Sequence, residues 1–493
     1  MALGTFIKRI RDITRKDAGI NGDAQRIEQL TWMLFLKIYD DKEQVWELED
    51  DHYRSIIPPS CRWRNWANTW TDDKDKACLK GNDLLDFVDN SLFPTLKNLV
   101  LPPRCPRKKS IVKAVFADIH NYMKDGTQLR EIIQQINEND FSDPANAHAF
   151  GIIYETILRE LQSAGSAGEF YTPRALTDFM ASHVGLKLGD TVADFACGTG
   201  GFLNSARRYL DQFRKTTEDM AVLNRSFYGI EKKPLPYLLC VTNLLLNDVE
   251  EPLIDHDNAL EKSFTEYTQK DQFDVILMNP PYGGSEKADI QGNFPSDMRS
   301  SETADLFLIL MIYRLKQGGR AAVVIPDGFL FQTSGNKAAI KERLLRDFNL
   351  HTIVRLPTSI FAPYTSIATN VLFFDKTGST EKTWFYRVDM PAGYKHFSKT
   401  KPMLLDHLTE LDAWWHDRKP IQVDGEDKAK AFTPEELKAL HYDFDQCGFP
   451  HDEEEILPPH ELIARYQHER AVSQQKVDEA LQKILALLPE KDG

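Results

Sequence analysis

The stretch 273–284, FDVILMNPPYGG, limits the fold more than any other part of this 493-residue chain. Val275, Ile276, Leu277 and Met278 form a continuous apolar run, short enough for a strand covered on both faces, as strands of parallel sheets are. The run stops at a rigid polar turn, Asn279-Pro280-Pro281-Tyr282. Open α/β sheets take ligands outside the carboxyl ends of their strands, so chemistry is expected at this turn.

Pro280 and Pro281 fix φ at their own positions, and Pro280 keeps Asn279 out of the helical region. The Asn279 side chain and the Pro280 backbone can then aim two carbonyl oxygens at one spot. An exocyclic amine conjugated to a ring is a poor nucleophile because its lone pair is delocalised. Two acceptors holding its N–H groups would draw the nitrogen toward tetrahedral geometry and free that pair for attack. Tyr282 offers a face on which the ring can stack. The plainer reading of the same four residues is a proline-rich loop that ends a strand.

A second stretch, 191–202 (TVADFACGTGGF), reads as a short strand ending at Asp194, a turn built on Gly198, Gly200 and Gly201, and a helix over 202–213. It departs from the dinucleotide fingerprint, since Leu203 stands where the third glycine would be. Glu231 closes another strand-like run, 226–230, and is placed for ribose hydroxyls, so turn and acid together read as a nucleoside site. Taken alone, the glycines would also suit an ordinary tight turn.

Strand and helix signals alternate along this region. Strands are expected at 191–194, 227–231, 253–256, 273–278, 321–325 and 352–356, and helices at 202–213, 235–246, 305–315 and 337–348. Such alternation implies an α/β fold with a doubly wound, mostly parallel sheet. Strands at 367–374 and 383–388 are expected to complete it.

The pair DFACGTGGF and NPPYGG, preceded by GEFYTP at 168–173, resembles the amino-methyltransferases that use S-adenosylmethionine. Over residues 4–376, about three quarters of the chain, the sequence is similar to the modification subunit of type I restriction-modification systems, which methylates adenine N6 in DNA. The resemblance implies the S-adenosylmethionine-dependent methyltransferase fold, with Asn279, Pro280, Pro281 and Tyr282 as catalytic residues. It also implies a cofactor held by Glu169, Phe170, Tyr171, Thr172, Pro173 and Arg174, by Asp194, Cys197, Gly198, Thr199, Gly200 and Gly201, and by Glu231.

In that family the 168–173 segment closes over the methionine end of the cofactor; here it precedes the first strand and can fold back over that strand's end. Asp257 and Asn258 are candidate substrate-binding residues, because they match a region where the family often contacts adenine, though an ordinary turn would use the same residues. The fourth motif residue is often Phe in the family, and Tyr282 keeps the ring while adding a hydroxyl. Because NPPY also occurs in enzymes that methylate cytosine N4, guanine N2 or glutamine side chains, it marks reaction type. A protein glutamine or an RNA base as substrate, or a catalytically silent scaffold, are the alternatives.

The resemblance implies DNA, a DNA-sequence specificity subunit, a restriction subunit and a second copy of the chain as partners. Charge bears on the same point. The net charge is −14, and residues 401–493 hold 11 basic and 21 acidic residues, leaving only −4 for everything before them. Such a chain gains little from neutralising phosphates. It also lacks the basic, loop-rich recognition domain that stand-alone enzymes with this motif order usually carry, so another chain is expected to supply much of the grip and the sequence reading.

The front of the chain reads as helical. Residues 24–39 set Ile27, Leu30, Leu34 and Ile38 on one stripe, widened by Met33 and Leu36, as expected of a core helix. The region 56–107 is irregular, with Trp63, Trp66 and Trp70, and the cluster Arg104, Arg107, Lys108 and Lys109 could meet phosphates or merely be a solvated loop. A further amphipathic helix at 150–161 is followed by the SAGSAG linker. In the tail, Val477, Leu481, Ile484 and Leu488 follow 4-3-4 spacing, a coiled-coil-like seam. The expected division is a helical domain over 1–165, the methyltransferase domain over 166–390, and an extension with a docking helix over 391–493. No run of eighteen apolar residues suggests a membrane span, and the N-terminus lacks the pattern of a signal peptide. The six cysteines show neither paired nor metal-ligand spacing, so a cytoplasmic location without a structural metal is expected.

Overall fold

Every strand expected between 191 and 388 forms, and all of them lie in one sheet. They are β1 (Val192–Asp194), β2 (Phe227–Glu231), β3 (Leu253–His256), β4 (Phe273–Met278), β5 (Leu315–Pro326), β6 (Asn349–Arg355), β7 (Thr369–Asp375) and β8 (Thr383–Arg387). Two more, β9 (Ile421–Val423) and β10 (Glu426–Phe432), extend it to the order β3-β2-β1-β4-β5-β7-β6-β8-β10-β9. The computed structural model describes residues 3–67, 79–139, 151, 154–159, 171–362, 364–398 and 400–448, with isolated positions between 460 and 478.

The half of the sheet that includes β3, β2, β1, β4 and β5 is parallel throughout. Each step there is bridged by a segment long enough to cross a face, including the helices Gly201–Asp211, Pro234–Leu246 and Thr303–Arg314. β7 breaks the pattern. It inserts between β5 and β6 antiparallel to both, and the described residues among 356–368 hold no helix to carry the chain back across the sheet. β8 then returns parallel to β6.

Beyond residue 390 the sheet does not stop. Asp424 and Gly425 adopt φ of +53° and +83°, the left-handed pair that closes a tight hairpin, and β10 pairs antiparallel with β8. The expected boundary at 390 therefore runs through continuous pairing. Buried cations hold the added strands. Arg355, 3% exposed, meets Asp327 at 3.0 Å, Asp445 at 2.8 Å and the Gly448 carbonyl at 2.7 Å. Lys428 Nζ lies 3.0 Å from Asp389 and 2.7 Å from Glu410. Part of the acidic excess of the extension thus neutralises buried charge.

Two hydrophobic clusters cover the two faces of the sheet. One includes Ile276, Met278, Val323, Phe307 and Leu310; the other continues from Val275, Leu277 and Leu239 into Leu30, Leu34 and Ile38 of the helix Asp23–Glu49. The helix Pro234–Leu246 is apolar nearly all round because it is covered by the sheet on one side and by Asp23–Glu49 on the other. Tyr154, fully buried, donates to the Leu239 carbonyl at 3.2 Å.

In the basic cluster Arg104 and Arg107 are exposed, while Lys108 and Lys109 are partly covered by contacts with the helical front. Arg107 pairs with Asp255, Lys108 Nζ stands 4.7 Å over the Trp46 ring, and Lys109 Nζ 4.2 Å over Tyr53. It joins the helical front to the end of β3. Residues 1–448 form one compact unit and 449–493 another, whose described positions between 460 and 478 are helical. Trp70, the 163–168 linker and the seam residues Val477, Leu481, Ile484 and Leu488 lie outside the described residues.

Candidate active site

The chain leaves β1 at Asp194 and turns over Cys197–Gly201 into the helix Gly201–Asp211. Gly200 caps that helix at φ +77°, and a Cβ there would stand 2.9 Å from Cys240 Sγ. On Gly201 a Cβ would stand 2.1 Å from Arg174 Nη1. Gly200 is favoured by its left-handed conformation and by close approach, Gly201 by close approach alone. Cys197 lies beneath the turn: its carbonyl accepts from Gly200 N at 2.7 Å and its Sγ sits 3.7 Å from Cys240 Sγ.

Two carboxylates close the floor. Glu231, at the end of β2, accepts from Gly198 N at 2.9 Å and from Lys233 N at 2.8 Å. Burial pushes its pKa up, and those backbone N–H groups pull it partly back. Asp194 is 1% exposed and accepts from Ala196 N at 3.1 Å. Burial lifts its pKa to about 8 despite that hydrogen bond, and the nearby Glu231 charge adds to the rise.

β4 delivers Asn279 beside this floor. Asn279 Nδ2 donates to Thr172 Oγ1 at 3.2 Å, while its Oδ1 is buried and accepts no hydrogen bond from the described residues. A buried unpaired amide oxygen is costly, and at the end of a strand lining a cleft it is available to accept from a bound group. Pro280 is buried and Pro281 exposed. The Tyr282 hydroxyl faces the Asn279 side chain, and burial pushes its pKa well up, so it stays protonated. The Tyr282 ring lies 6.0 Å from that of Phe361, edge to face.

The segment 171–174 spans both turns. Arg174 packs 4.7 Å over the buried Tyr171 ring, donates to Glu155 at 2.7 Å, to the Thr172 carbonyl at 3.2 Å and to Thr199 Oγ1 at 3.3 Å. Pro173 is buried immediately before the helix Arg174–His183. The expected fold-back over the end of β1 is what these contacts describe for 171–174. Glu169 and Phe170 lie outside the described residues.

A cleft of about 660 Å³ including its open mouth brings Glu231 and Asn279 together. Lys232, Lys233, Asp257, Asn258, Pro281, Glu286, Phe195, Ala196, Ala259, Leu260, Thr303 and Phe307 complete its lining, while Asp194, the glycine turn, the segment 171–174, Pro280 and Tyr282 do not line it. Asp257 and Asn258 are therefore brought to the site, held by the bond from Asp257 N to the Glu231 carbonyl at 3.1 Å. Phe195, Thr303, Phe307 and Phe361 were not anticipated. Phe195 follows Asp194 directly and could have been read from its place in the turn. Thr303, Phe307 and Phe361 come from elements whose sequence carries only a burial signal.

Comparison with known proteins agrees with this geometry. The family model for N-6 DNA methylases matches residues 145–455, and that for the HsdM N-terminal domain matches residues 3–136. The methylase subunit of the type I restriction enzyme EcoEI of Escherichia coli is 48% identical over 476 residues, 96% of this chain and 95% of that protein. A crystal structure of a modification subunit of a putative type I restriction enzyme from Vibrio vulnificus YJ016 aligns with TM-score 0.76 and 42% identity, over 88% of this chain and 92% of that one. A chain from work on complex assembly and conformational transition of the type I R-M system aligns with TM-score 0.80 and 33% identity, over 100% and 99% of the two chains. With its strand order, its glycine turn and its Asn-Pro-Pro-Tyr turn in place, the chain belongs to the N-6 DNA methylase family, among the methylase subunits of type I restriction enzymes.

Proposed function

We propose that the chain methylates adenine N6 in a specific DNA sequence, using S-adenosylmethionine, as a cytoplasmic modification subunit of a type I restriction-modification complex. The observation that carries the mechanism is the buried, unpaired Oδ1 of Asn279 beside a Thr172 hydroxyl that occupies the other end of the same amide. Membership in the family sets aside the glutamine, RNA and scaffold alternatives.

The residues fit the cofactor. The turn at Gly200 and Gly201 has no room for side chains, and the buried Glu231 and Asp194 suit ribose hydroxyls and a cationic neighbour. When bound, S-adenosylmethionine supplies an electrophilic methyl group on sulfur. Glu231 orients the ribose, Asp257 and Asn258 border the base, and Arg174 closes the segment 171–174 over the turn. Asn279 Oδ1 and the Pro280 carbonyl accept the two N–H groups of the target amine and align its lone pair. Tyr282, braced edge-on by Phe361, offers a stacking face to the adenine ring, which must leave the duplex at a cost of a few kcal/mol.

Division of labour follows the same reading. Residues 1–165 support the sheet, 166–390 carry the site, and the acidic extension from 391 ends in a docking tail from residue 449 onward. The net charge of −14 leaves much of the phosphate contact to a specificity subunit, with a restriction subunit and a second copy completing the complex. Labelled cofactor and plasmid DNA, incubated with the chain alone and with candidate specificity and restriction subunits, test this. Efficient site-specific methylation by the chain alone at physiological salt would contradict the proposed dependence on partners.

A further inference from the structure

We infer that His183, Asp412 and His416 form a site for one divalent transition-metal ion, zinc by its ligand chemistry, that fastens the extension to the helix behind the cofactor-covering segment. One donor atom from each of the three lies within 4.8 Å of the others. His183 ends the helix Arg174–His183, and Asp412 and His416 stand four residues apart on one face of the helix Thr409–His416.

The hydrogen bonds of the imidazole give the cluster its meaning. His183 Nδ1 lies 2.9 Å from the Phe179 carbonyl, which can only accept, so Nδ1 carries the proton. Ser182 Oγ lies 3.0 Å from the same carbonyl and 2.9 Å from Nδ1, whose proton it shares with that carbonyl. His183 Nε2 then presents a lone pair to Asp412 Oδ1 at 3.0 Å. Two acceptors at that distance repel unless positive charge lies between them. A metal ion between the two supplies that charge and also draws in His416, the third donor of the cluster. Metal-bound histidines usually donate the other ring nitrogen to a backbone carbonyl or carboxylate, as here.

The surroundings hold the ring and leave room. Phe179 stacks on His183 at 4.0 Å and Trp415 meets it edge-on at 5.0 Å. A cavity bordered by Ser182, Asp406, Thr409 and Asp412 opens beside it, with space for a water ligand. Two imidazoles and one carboxylate suit zinc better than magnesium or calcium, which prefer all-oxygen shells. Zinc bonds of about 2.0–2.1 Å require the three atoms to close by about 1 Å, within reach of the exposed Asp412 and His416. The absence of cysteine metal spacing does not bear on ligands that only the fold brings together.

The test uses the full-length chain, stripped with chelator and then titrated with zinc chloride against a chromophoric competitor, alongside thermal unfolding with and without zinc. The wild type is expected to retain about one zinc per chain and to unfold at a higher temperature with it. His183→Gln and His416→Ala should each weaken binding at least about 100-fold and abolish the zinc-dependent shift. His416 is exposed, so His416→Ala keeps the wild-type fold without metal and decides the matter if His183→Gln does not fold. Cobalt should give tetrahedral d–d bands without thiolate charge transfer. No zinc retained by the wild type, binding unchanged in His416→Ala, or a thiolate band with cobalt would each overturn the assignment.

Discussion

Thr172 and Asn279, 107 residues apart in sequence, meet through a 3.2 Å hydrogen bond from Asn279 Nδ2 to Thr172 Oγ1. An amide can present either end, and here the nitrogen end faces the Thr172 hydroxyl. With the nitrogen held by Thr172, the oxygen is left to accept. Thr172→Val should therefore loosen the Asn279 amide and slow methyl transfer at saturating cofactor about tenfold, the loss of one ordinary hydrogen bond of about 1–1.5 kcal/mol. Thr172→Ser should restore the rate. Equal rates for Val and Ser in single-turnover assays of the assembled complex would show that the bond does not set the amide's orientation.

Gly200 should divide the two halves of the site in the opposite way. Its φ of +77° and the 2.9 Å approach of Cys240 Sγ leave no place for a side chain. Gly200→Asp is expected to lower cofactor affinity at least about tenfold from backbone strain alone, with further loss from obstruction of the nucleoside. Calorimetry on the purified chain reads this directly. Unchanged affinity would place the cofactor elsewhere.

Asp194 predicts a pH dependence. Its pKa rises from the ordinary 3.8 to about 8 on folding, because burial disfavours its charge. Between those values the folded chain holds a proton that the unfolded chain lacks, so this contribution to stability is complete below about pH 4 and lost as pH rises toward 8. A cationic cofactor beside Asp194 favours the ionised form, so binding should release a proton near pH 7 and strengthen as pH rises to about 8. Asp194→Asn should flatten both profiles. Proton release measured in buffers of different ionisation enthalpy, identical in wild type and variant, would remove Asp194 from the binding equilibrium.

Two truncations separate sheet from tail. Ending the chain at 448 keeps β10 and the Arg355 contacts to Asp445 and Gly448, so folding and cofactor binding should persist while assembly with partner subunits weakens. Ending it at 390 removes β9 and β10 and leaves Arg355 and Arg387 short of partners, at a cost of about 3–5 kcal/mol for a broken buried pair, and should give an unstable or insoluble chain. Co-purification and thermal unfolding check both. A 1–448 chain that assembles as well as the full one would deny the tail its docking role.

What the sequence makes legible is whatever rests on local pattern. The run Val275–Ile276–Leu277–Met278 and the two prolines determine a strand and its end within neighbouring residues, and the turn glycines do the same, so both appear where expected. The hairpin at Asp424-Gly425 carries a local turn signal, but its strands do not, since Glu426–Phe432 is mostly polar and buries only Lys428 and Ala429 fully. Phe361, the basic cluster and the His183–Asp412 contact were not legible, since each acquires its meaning from a partner far along the chain: Tyr282, Trp46 with Asp255, and the helix Thr409–His416. Net charge gave the right sense of an acidic extension, but not that Glu410 and Asp445 serve buried cations.

The most direct test is Asn279→Ala in the assembled complex, read by cofactor calorimetry and single-turnover methyl transfer on the same preparation. Asn279 is proposed to touch the target amine through Oδ1 and not the cofactor, so affinity should stay near wild type while transfer falls by about 10²–10³, the usual cost of one preorganised polar partner at a reacting group. A variant that binds cofactor much more weakly yet transfers methyl at a near-normal rate once saturated would make Asn279 a structural residue of the turn and contradict the account.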